Sequence, residues 1–280
     1  MFENIFKTNV VVYLFNKGYI ILIKLHIKKV AFPHEHGSWG FVLEPLVLSL
    51  LVAYSFSGLL LAVSSFLIFL NHQPVRVLLS KKRNKQLFFP ALLFFMIYSV
   101  FIVITLVYVF QNSQINNLLP FGLAVLLMLI FFVMELKQKG RELLAEFIAP
   151  ISITFIGMSI VLLGGWAFYL TTAFAVVLLA RSIPTVLYIH IKVLAVKKKE
   201  FSKQVFYISE IIFLSIVTIL AFSKLISMLS IVAVILLIGR AVYGLSKKGL
   251  LENIRILGIK EFIFGILYVV IVYIGYYFNL

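Results

Sequence analysis

The chain has 280 residues, of which 63% are hydrophobic and 12% are charged, and it contains no cysteine. A soluble domain is about 45–50% apolar and about 25% charged, so this composition excludes a soluble globular fold. The missing cysteines exclude a disulfide scaffold and any thiolate metal site. The net charge is +15. In a membrane protein, an excess of basic residues reflects the orientation of the loops and contact with anionic lipid, so nucleic acid is not expected as a partner. The composition predicts an all-α, polytopic transmembrane helical bundle.

Residues 1–32 are predicted to form a cytoplasmic or interfacial N-terminal extension, and residues 33–280 a transmembrane domain. In the extension, Val10–Ile23 is apolar but is interrupted by Lys17 and Gly18. This pattern favours an interfacial helix, with a dispensable extension from an upstream start codon as the alternative. A spanning helix needs about 20 mostly apolar residues. The predicted spans are Trp39–Ser55, Ser57–Leu79, Leu87–Phe110, Asn117–Leu136, Leu143–Leu163, Trp166–Ile191, Val205–Phe222, Leu225–Leu245 and Ile259–Tyr277.

The basic residues predict the orientation of these nine spans. All of the 25 Lys and Arg residues except Lys224 fall on one side of the membrane when the spans alternate in direction. By the positive-inside rule, that side is the cytoplasm, which places the N-terminus inside and the C-terminus outside. An even number of spans would destroy this separation. We therefore expect a multi-pass protein of the plasma membrane.

The polar residues that interrupt the spans are the candidates for function. Ionisable side chains within a membrane are costly and usually face a bundle interior or a wet cavity. All of them lie towards the cytoplasmic ends, so a cavity that they line is expected to open inward. The ligand-binding candidates are His36, Glu44, Asn71, His72, Arg76, Glu146, Arg181, Tyr188 and Lys192.

Several of these residues could have a structural role instead of binding a ligand, and both readings are left open. His36 belongs either to a ligand-binding rim or to a capped, interfacial helix start. Glu44 lies one or two turns inside the first span and needs a partner. Glu146 and Glu210 are either ligand contacts or counter-charges, and the arginines that they would neutralise are Arg76, Arg181 and Arg240.

The ends of the second and sixth spans form a weak internal repeat. Asn71-x-x-Pro74 and Arg181-x-x-Pro184 occupy equivalent places, and a basic run follows each. Repeats of this kind place a site at their interface in many membrane folds, so we expect the two helices to be neighbours whose polar ends face one cavity. One face of the sixth span also carries a continuous polar stripe, formed by Arg181, Thr185, Tyr188 and Lys192.

The sequence before the first span, Pro33-His34-Glu35-His36-Gly37-Ser38-Trp39, resembles the YwiC-like family of bacterial membrane proteins. The connector Lys137…Arg141-Glu142-x-x-x-Glu146 and the end of the sixth span, Arg181-Ser182-Ile183-Pro184, add to this likeness. The resemblance covers roughly residues 31–280. The family has no assigned activity, so the resemblance implies a membrane fold and no particular reaction.

A more distant likeness is to the UbiA-type intramembrane prenyltransferases. These enzymes have nine helices, an internal N-terminus and signature motifs at the cytoplasmic ends of helices two and six, where Asn71 and Arg181 lie here. They bind magnesium diphosphate through two Asp-rich motifs, whereas all ten acidic residues of this chain are Glu. Since the motif carboxylates are missing, no magnesium cofactor is expected. The resemblance therefore implies the fold without the metal-assisted reaction.

Three functions are compatible with these features, and whether the protein is an enzyme is left open. The first is binding, with or without processing, of an anionic-headed or isoprenoid lipid in a cytoplasm-facing cavity, where arginines grip the anion directly. The alternative is a transporter of a small anion, in which Pro74 and Pro184 mark discontinuous helices. The weakest is a haem or metal binder that uses His34, His36 and His72, because His-x-His separates the two imidazoles by about 200° on a helix.

Overall fold

The structure is a computed structural model that describes residues 11–16, 19–24, 30–32, 38–80, 85–137, 142–246, 249–250 and 254–279. Within these residues the chain forms nine long α-helices, a short antiparallel sheet and one 3-10 turn at Ile115–Leu118. In chain order the elements are β1 (Val11–Asn16), β2 (Tyr19–Lys24), α1 (Ser38–Val52), α2 (Phe56–Leu78), α3 (Lys85–Gln111), α4 (Leu119–Leu136), α5 (Leu143–Leu163), α6 (Phe168–Val196), α7 (Gln204–Phe222), α8 (Leu229–Gly244) and α9 (Ile254–Tyr277).

These nine helices correspond one to one with the nine predicted segments, and most of their ends agree within a few residues. Seven of them are long and apolar enough to cross a membrane. The other two, α1 and α8, are shorter apolar helices. The described part of the chain is therefore a helical membrane protein with seven candidate spans, which confirms the predicted class.

The N-terminal extension differs from the prediction. Val10–Ile23 was expected to be an interfacial helix, but β1 and β2 form a two-stranded antiparallel sheet in which Val11 pairs with Lys24 and Asn16 pairs with Tyr19. The helix prediction is wrong because the periodicity of a short apolar run does not distinguish a helix from a strand. The Val, Ile, Tyr and Phe side chains of this segment favour the extended form.

The chain divides into two compact units. The first comprises Met1–Glu35 and Val63–Tyr108, and the second comprises His36–Ala62 and Val109–Leu280. Helix α2 begins in the second unit and ends in the first. The predicted boundary between an extension at 1–32 and a domain at 33–280 stays a prediction.

In the first unit, α2 and α3 meet through neutral polar side chains. The hydroxyl oxygens of Ser64 and Thr105 are 2.7 Å apart, and Asn71 Nδ2 donates a hydrogen bond to Ser99 Oγ at 3.2 Å. The order of these contacts along the two helices is antiparallel. Such interhelical contacts in a membrane are worth about 0.6 kcal/mol on average, so they guide packing without dominating stability.

In the second unit, six helices close into a ring. Helix α1 packs on α5, α5 on α6, α6 on α7, α7 on α8 and α8 on α9, and α9 returns to α1. Helix α6 also contacts α8, and α4 packs on α5. Buried apolar side chains fill this unit, among them Leu48, Phe174, Val217, Val234 and Val272. The ring determines which polar side chains can meet inside the bundle.

Two tight turns hold the ends of neighbouring helices in the second unit. Between α1 and α2, the backbone N–H of Gly58 donates to Ser55 Oγ at 3.0 Å, which caps the start of α2. After α5, Gly165 adopts a positive φ of 89°, a conformation that glycine accommodates without strain. A Cβ at Gly164 would lie 2.5 Å from the carbonyl oxygen of Ala53. Glycine therefore allows the end of α5 to approach the end of α1.

Candidate ligand-binding site

Four buried charged residues from four helices meet inside the second unit. They are Glu44 of α1, Arg181 of α6, Arg240 of α8 and Glu261 of α9, and each is at most 9% exposed. We call these four residues the charge cluster. Charges inside apolar helices are costly unless they are paired and hydrogen-bonded, so the contacts of each member determine what the cluster can do.

Arg181 is the most fully bonded member of the charge cluster. Its Nη2 donates to Glu44 Oε1 and to the backbone carbonyl of Glu261, each at 3.2 Å, and its Nε lies 2.9 Å from Glu44 Oε2. Its Nη1 donates to Thr185 Oγ1 at 2.5 Å and lies 3.8 Å from Glu261 Oε2. Both oxygens of Glu44 therefore face the guanidinium, one through a hydrogen bond from Nη2 and the other through the close charge contact with Nε. Arg181 is the partner that Glu44 requires.

Arg240 completes the cluster from the other side. Its Nη1 forms an ion pair with Glu261 Oε2, and its Nη2 donates to Thr185 Oγ1 at 3.2 Å. The guanidinium carbon lies 4.5 Å from the centre of the Tyr188 ring, within the range of a cation–π contact. Glu261 and Thr185 therefore join the two arginines, so that two positive groups lie together in the interior.

The predicted polar stripe of α6 is buried along its whole length. Arg181, Thr185, Tyr188 and Lys192 are each at most 5% exposed, and Lys192 Nζ donates to the Tyr188 hydroxyl at 3.3 Å. A Cβ at Gly244 of α8 would overlap that hydroxyl, so α8 packs directly against the stripe. The face of α6 that carries these four residues, which was predicted from their spacing alone, therefore points into the ring of helices.

Glycines create the space that Glu44 occupies. A Cβ at Gly265 of α9 would overlap the Glu44 carboxylate, and a Cβ at Gly40 of α1 would lie 2.8 Å from Glu44 Oε1. Gly258, Glu261 and Gly265 follow one another at intervals of three and four residues, which places them on one face of α9. Small residues let helices approach closely in membranes. This face of α9 therefore brings Glu261 to the arginines while it leaves room for Glu44.

A small pocket adjoins the charge cluster between α1, α6 and α9. Its empty volume of about 210 Å³ includes space that is open to the surroundings of the bundle, so little of it is enclosed. One wall, Phe262, is 41% exposed, so the pocket borders the outer surface of the bundle. In this structure it has room for about one water molecule and not for a lipid. The lining residues are Gly40, Phe41, Glu44, Arg181, Gly258, Glu261 and Phe262.

The carboxylates that pair directly with the arginines are Glu44 and Glu261, while Glu210, a predicted counter-charge, interacts with Arg240 through its charge without a direct ion pair. Arg181 and Arg240 are neutralised by Glu44 and Glu261. Glu210 of α7 is buried, and its Oε1 has no hydrogen-bond partner among the described residues. Glu261 Oε1 is likewise buried, and it accepts no hydrogen bond from the residues that the structure describes.

Glu146 has a partner that the sequence reasoning did not identify. Its Oε2 lies 2.8 Å from His190 Nδ1, which links α5 to α6 through two partly exposed side chains. This contact provides a structural role for Glu146, and a ligand role stays a prediction.

Three candidates from the second span belong to the first unit. Asn71 bonds to Ser99, His72 is half-buried and Arg76 is exposed. The expected cavity shared by Asn71 and Arg181 stays a prediction, as does any ligand contact of these three residues. His34 and His36, which also underlie the metal hypothesis, lie outside the described residues.

The prolines expected to mark broken helices lie within continuous ones. Helix α2 runs through Pro74, and α6 runs through Pro184. Beside Pro184, the Ser182 hydroxyl donates to the Leu178 carbonyl at 2.8 Å. The discontinuous helices that support transport in many carriers are therefore absent at these two prolines.

Sequence reasoning missed Glu261, although this residue bridges the two arginines. Its signal is a single carboxylate two turns into the last helix, flanked on the same face by Gly258 and Gly265. Ionisable residues within a span are candidates by default. The same criterion that selected Glu44 would have selected Glu261.

Comparison with known proteins adds one relationship. No curated protein and no solved structure matches the chain, so the distant likeness to UbiA-type enzymes stays a prediction. A family model described as YwiC-like protein matches residues 32–161, a segment that includes Glu44 but ends before Arg181, Arg240 and Glu261. Over residues 32–161 the chain is therefore similar to the YwiC-like protein family, as the sequence before the first helix predicts.

Proposed function

We propose that this protein crosses the plasma membrane nine times, with its N-terminus inside and its C-terminus outside. Helices α1 and α8 are about 22–24 Å long at 1.5 Å per residue, shorter than the roughly 30 Å hydrocarbon core. Both belong to the ring of the second unit, between longer helices, and a bilayer can thin locally around a short span. The separation of basic residues also requires both helices to cross.

The orientation is tested with reporters fused after Leu280. A reporter active only outside the cytoplasm should be active there, and one active only in the cytoplasm should be silent. The reverse pair of results would contradict the nine-span topology.

We further propose that the charge cluster binds a lipid with an anionic head group, isoprenoid lipids included. The observation that carries this proposal is the pair of buried arginines, Arg181 and Arg240, joined through Thr185 and Glu261 beside a pocket. Arginine binds phosphate oxygens in a bidentate manner. Since the chain has no Asp to hold magnesium, the arginines supply the positive charge that the head group needs.

An anionic head group reaches Arg181 by replacing a carboxylate. Three groups accept hydrogen bonds from Arg181, namely Glu44, Thr185 and the carbonyl of Glu261. Glu44 is the exchangeable group, because it lines the pocket and both of its oxygens contact Arg181. Glu261 is held by both arginines and stays in place.

The test identifies the co-purifying lipid by mass spectrometry and measures its retention in variants. Arg181→Ala should weaken retention about ten- to a hundredfold, because a hydrogen bond to a charged group is worth about 1.5–3 kcal/mol. Arg181→Lys should recover part of it, since lysine lacks the planar fork. Lys199→Ala, at an exposed position after α6, is the control and should change nothing.

Arg181→Ala also leaves Glu44 unpaired, so a second variant separates binding from folding. Arg181→Met combined with Glu44→Leu replaces the pair by apolar groups, which proteins often tolerate. This variant should fold and still lose the lipid. If chelation of divalent ions abolishes binding while Arg181→Ala does not, a Glu-bound metal is the better explanation and the arginine site is wrong.

A further inference from the structure

Five helices of the second unit begin or end at a common level beside Trp166. Helices α1, α5 and α9 end there, and α6 and α8 begin there. Three close approaches join these ends, namely those of Gly164 to Ala53, Trp166 to Tyr276 and Gly275 to Ser227. The ring centroids of Trp166 and Tyr276 are 5.6 Å apart. We call this side of the second unit the Trp166 end.

Exposed aromatic side chains surround the Trp166 end. Six of them are more than half exposed, namely Tyr54, Phe56, Phe168, Tyr169, Phe222 and Tyr277. Within the connecting segments 53–55, 164–167 and 223–228, Lys224 is the one charged residue. Tyr and Trp concentrate where a membrane meets water, because each combines an apolar ring with a polar tip. The composition of this end therefore fits the head-group layer of a bilayer.

The long helices place the membrane surface at the same level. Helices α5, α6 and α9 are each long and apolar enough to cross a membrane. A spanning helix keeps its apolar length in the hydrocarbon core and ends near the head groups. Because these three helices reach the Trp166 end together, the exposed aromatic side chains continue their lipid-facing sides. A lipid surface is therefore the partner that this end fits.

The two short helices make the position of this end consequential. Helices α1 (Ser38–Val52) and α8 (Leu229–Gly244) are about 22–24 Å long at 1.5 Å per residue. The hydrocarbon core is about 30 Å thick, so each helix is about 6–8 Å too short. Since α1 ends and α8 begins at the Trp166 end, the shortfall lies at their other ends.

We propose that the Trp166 end anchors the second unit in the head-group layer of one leaflet, so that any mismatch between bilayer and helices is taken up at the opposite leaflet. The partner is a lipid surface that meets aromatic rings and not charges. On the topology proposed above, the anchored leaflet is the outer one. The inference rests on that topology and is independent of lipid binding by the charge cluster.

The two tryptophans of the chain allow both ends of the unit to be measured. Trp166 lies at the anchored end, and Trp39, the second residue of α1, lies about 20 Å from the end of that helix. Trp39→Phe leaves Trp166 as the fluorophore, and Trp166→Phe leaves Trp39. The depth of each is measured by quenching with phosphatidylcholine that carries bromine at defined acyl carbons.

The measurement is made in two kinds of vesicle whose hydrocarbon cores differ by about 5 Å, a difference that also occurs between cell membranes. In the thicker bilayer Trp39 should lie several Å deeper below the nearer head-group layer, whereas the depth of Trp166 should change by less than about 1 Å. If Trp166 deepens as much as Trp39, if only Trp166 deepens, or if neither changes, the anchor at the Trp166 end is wrong. Quenching of Trp166 by aqueous iodide but not by bromolipid would place this end in water and would also overturn the inference.

Exposed tyrosines provide variants that leave the core intact. Replacing Tyr54, Tyr169 and Tyr277 together by Ser removes three anchoring rings, so the depth of Trp166 should then change with bilayer thickness. Tyr243→Ser, at an exposed tyrosine in the last turn of α8, is the control and should leave Trp166 at constant depth. A triple variant that behaves like the control would contradict the role of these rings.

The anchor and the topology fail separately. Bromolipid quenching gives the depth below the nearer surface, whereas the reporters after Leu280 give the side of the membrane. Reporters that contradict nine spans, together with a constant depth of Trp166, would overturn the topology and leave the anchor in place. Reporters that agree with nine spans, together with a depth of Trp166 that follows bilayer thickness, would overturn the anchor alone.

Discussion

The two units of this protein use different polar side chains inside helices of similar composition. In the first unit, α2 and α3 meet through hydroxyl and amide groups at Ser64, Thr105 and Asn71. In the second unit, four helices meet through two arginines and two glutamates. The contacts between Ser64 and Thr105 and between Asn71 and Ser99 are neutral and bury no charge. The charges of the second unit therefore require a reason beyond packing.

The energies of the two arrangements differ severalfold. An interhelical hydrogen bond in a membrane contributes about 0.6 kcal/mol on average, whereas breaking one partner of a buried ion pair costs about 3–5 kcal/mol. Replacing a whole buried ion pair by apolar groups is often neutral. Stability alone does not explain why the charges are present, whereas the proposed ligand binding would explain them.

The largest expected effect is at Glu261, which neutralises Arg240 and contacts Arg181. Glu261→Ala leaves two buried guanidinium groups with one carboxylate, so the free energy of unfolding should fall by about 3–5 kcal/mol. Chemical unfolding in detergent measures this change. Glu200→Ala, at an exposed position between α6 and α7, is the matched control and should have no measurable effect.

A compensating variant sharpens this result. Arg240→Met combined with Glu261→Leu removes one charge of each sign, so most of the lost stability should return, although lipid retention should not. A loss below about 1 kcal/mol in Glu261→Ala would contradict the contrast between the two units, since exposed ion pairs are worth that little.

The next effect tests the glycine that makes room for the cluster. In Gly265→Ala, the new Cβ would overlap the Glu44 carboxylate, so Glu44 must move away from Arg181. Overpacking of this kind costs about 1–3 kcal/mol, measured as a lower melting temperature and weaker lipid retention. Gly122→Ala in α4 is the control, because a Cβ there meets nothing within 4 Å, and alanine favours a helix. Equal behaviour of the two variants would show that Glu44 is not confined by α9.

The helices and half of the cluster were predictable from the sequence. Nine apolar runs predicted nine helices. A helix in a membrane must form its backbone hydrogen bonds within itself, so the length of an apolar run indicates the length of the helix. Glu44 and Arg181 stood out as ionisable groups within spans. Their pairing did not, because it depends on which helices become neighbours.

The side-chain pairs that were not predicted depend on tertiary contacts. Glu146 meets His190 because α5 packs on α6. Arg181 meets Glu44 because α1 packs on α5, which is a neighbour of α6 in the ring. Spacing along one helix contains no such information. The strands at Val11–Asn16 and Tyr19–Lys24 were missed for a different reason, since a short apolar run carries no decisive period.

The smallest effect is expected in the first unit, at the contact between Ser64 and Thr105. Thr105 Oγ1 also bonds to the carbonyls of Phe101 and Ile102 in its own helix, so removing Ser64 does not leave Thr105 unsatisfied. A double-mutant cycle with Ser64→Ala and Thr105→Val should give a coupling of about 0.6 kcal/mol and no change in lipid retention. A coupling as large as the loss in Glu261→Ala would show that the first unit also maintains a costly polar site. The contrast between the two units would then fail, and the charge cluster could no longer be singled out as the polar site that is kept for binding at a cost in stability.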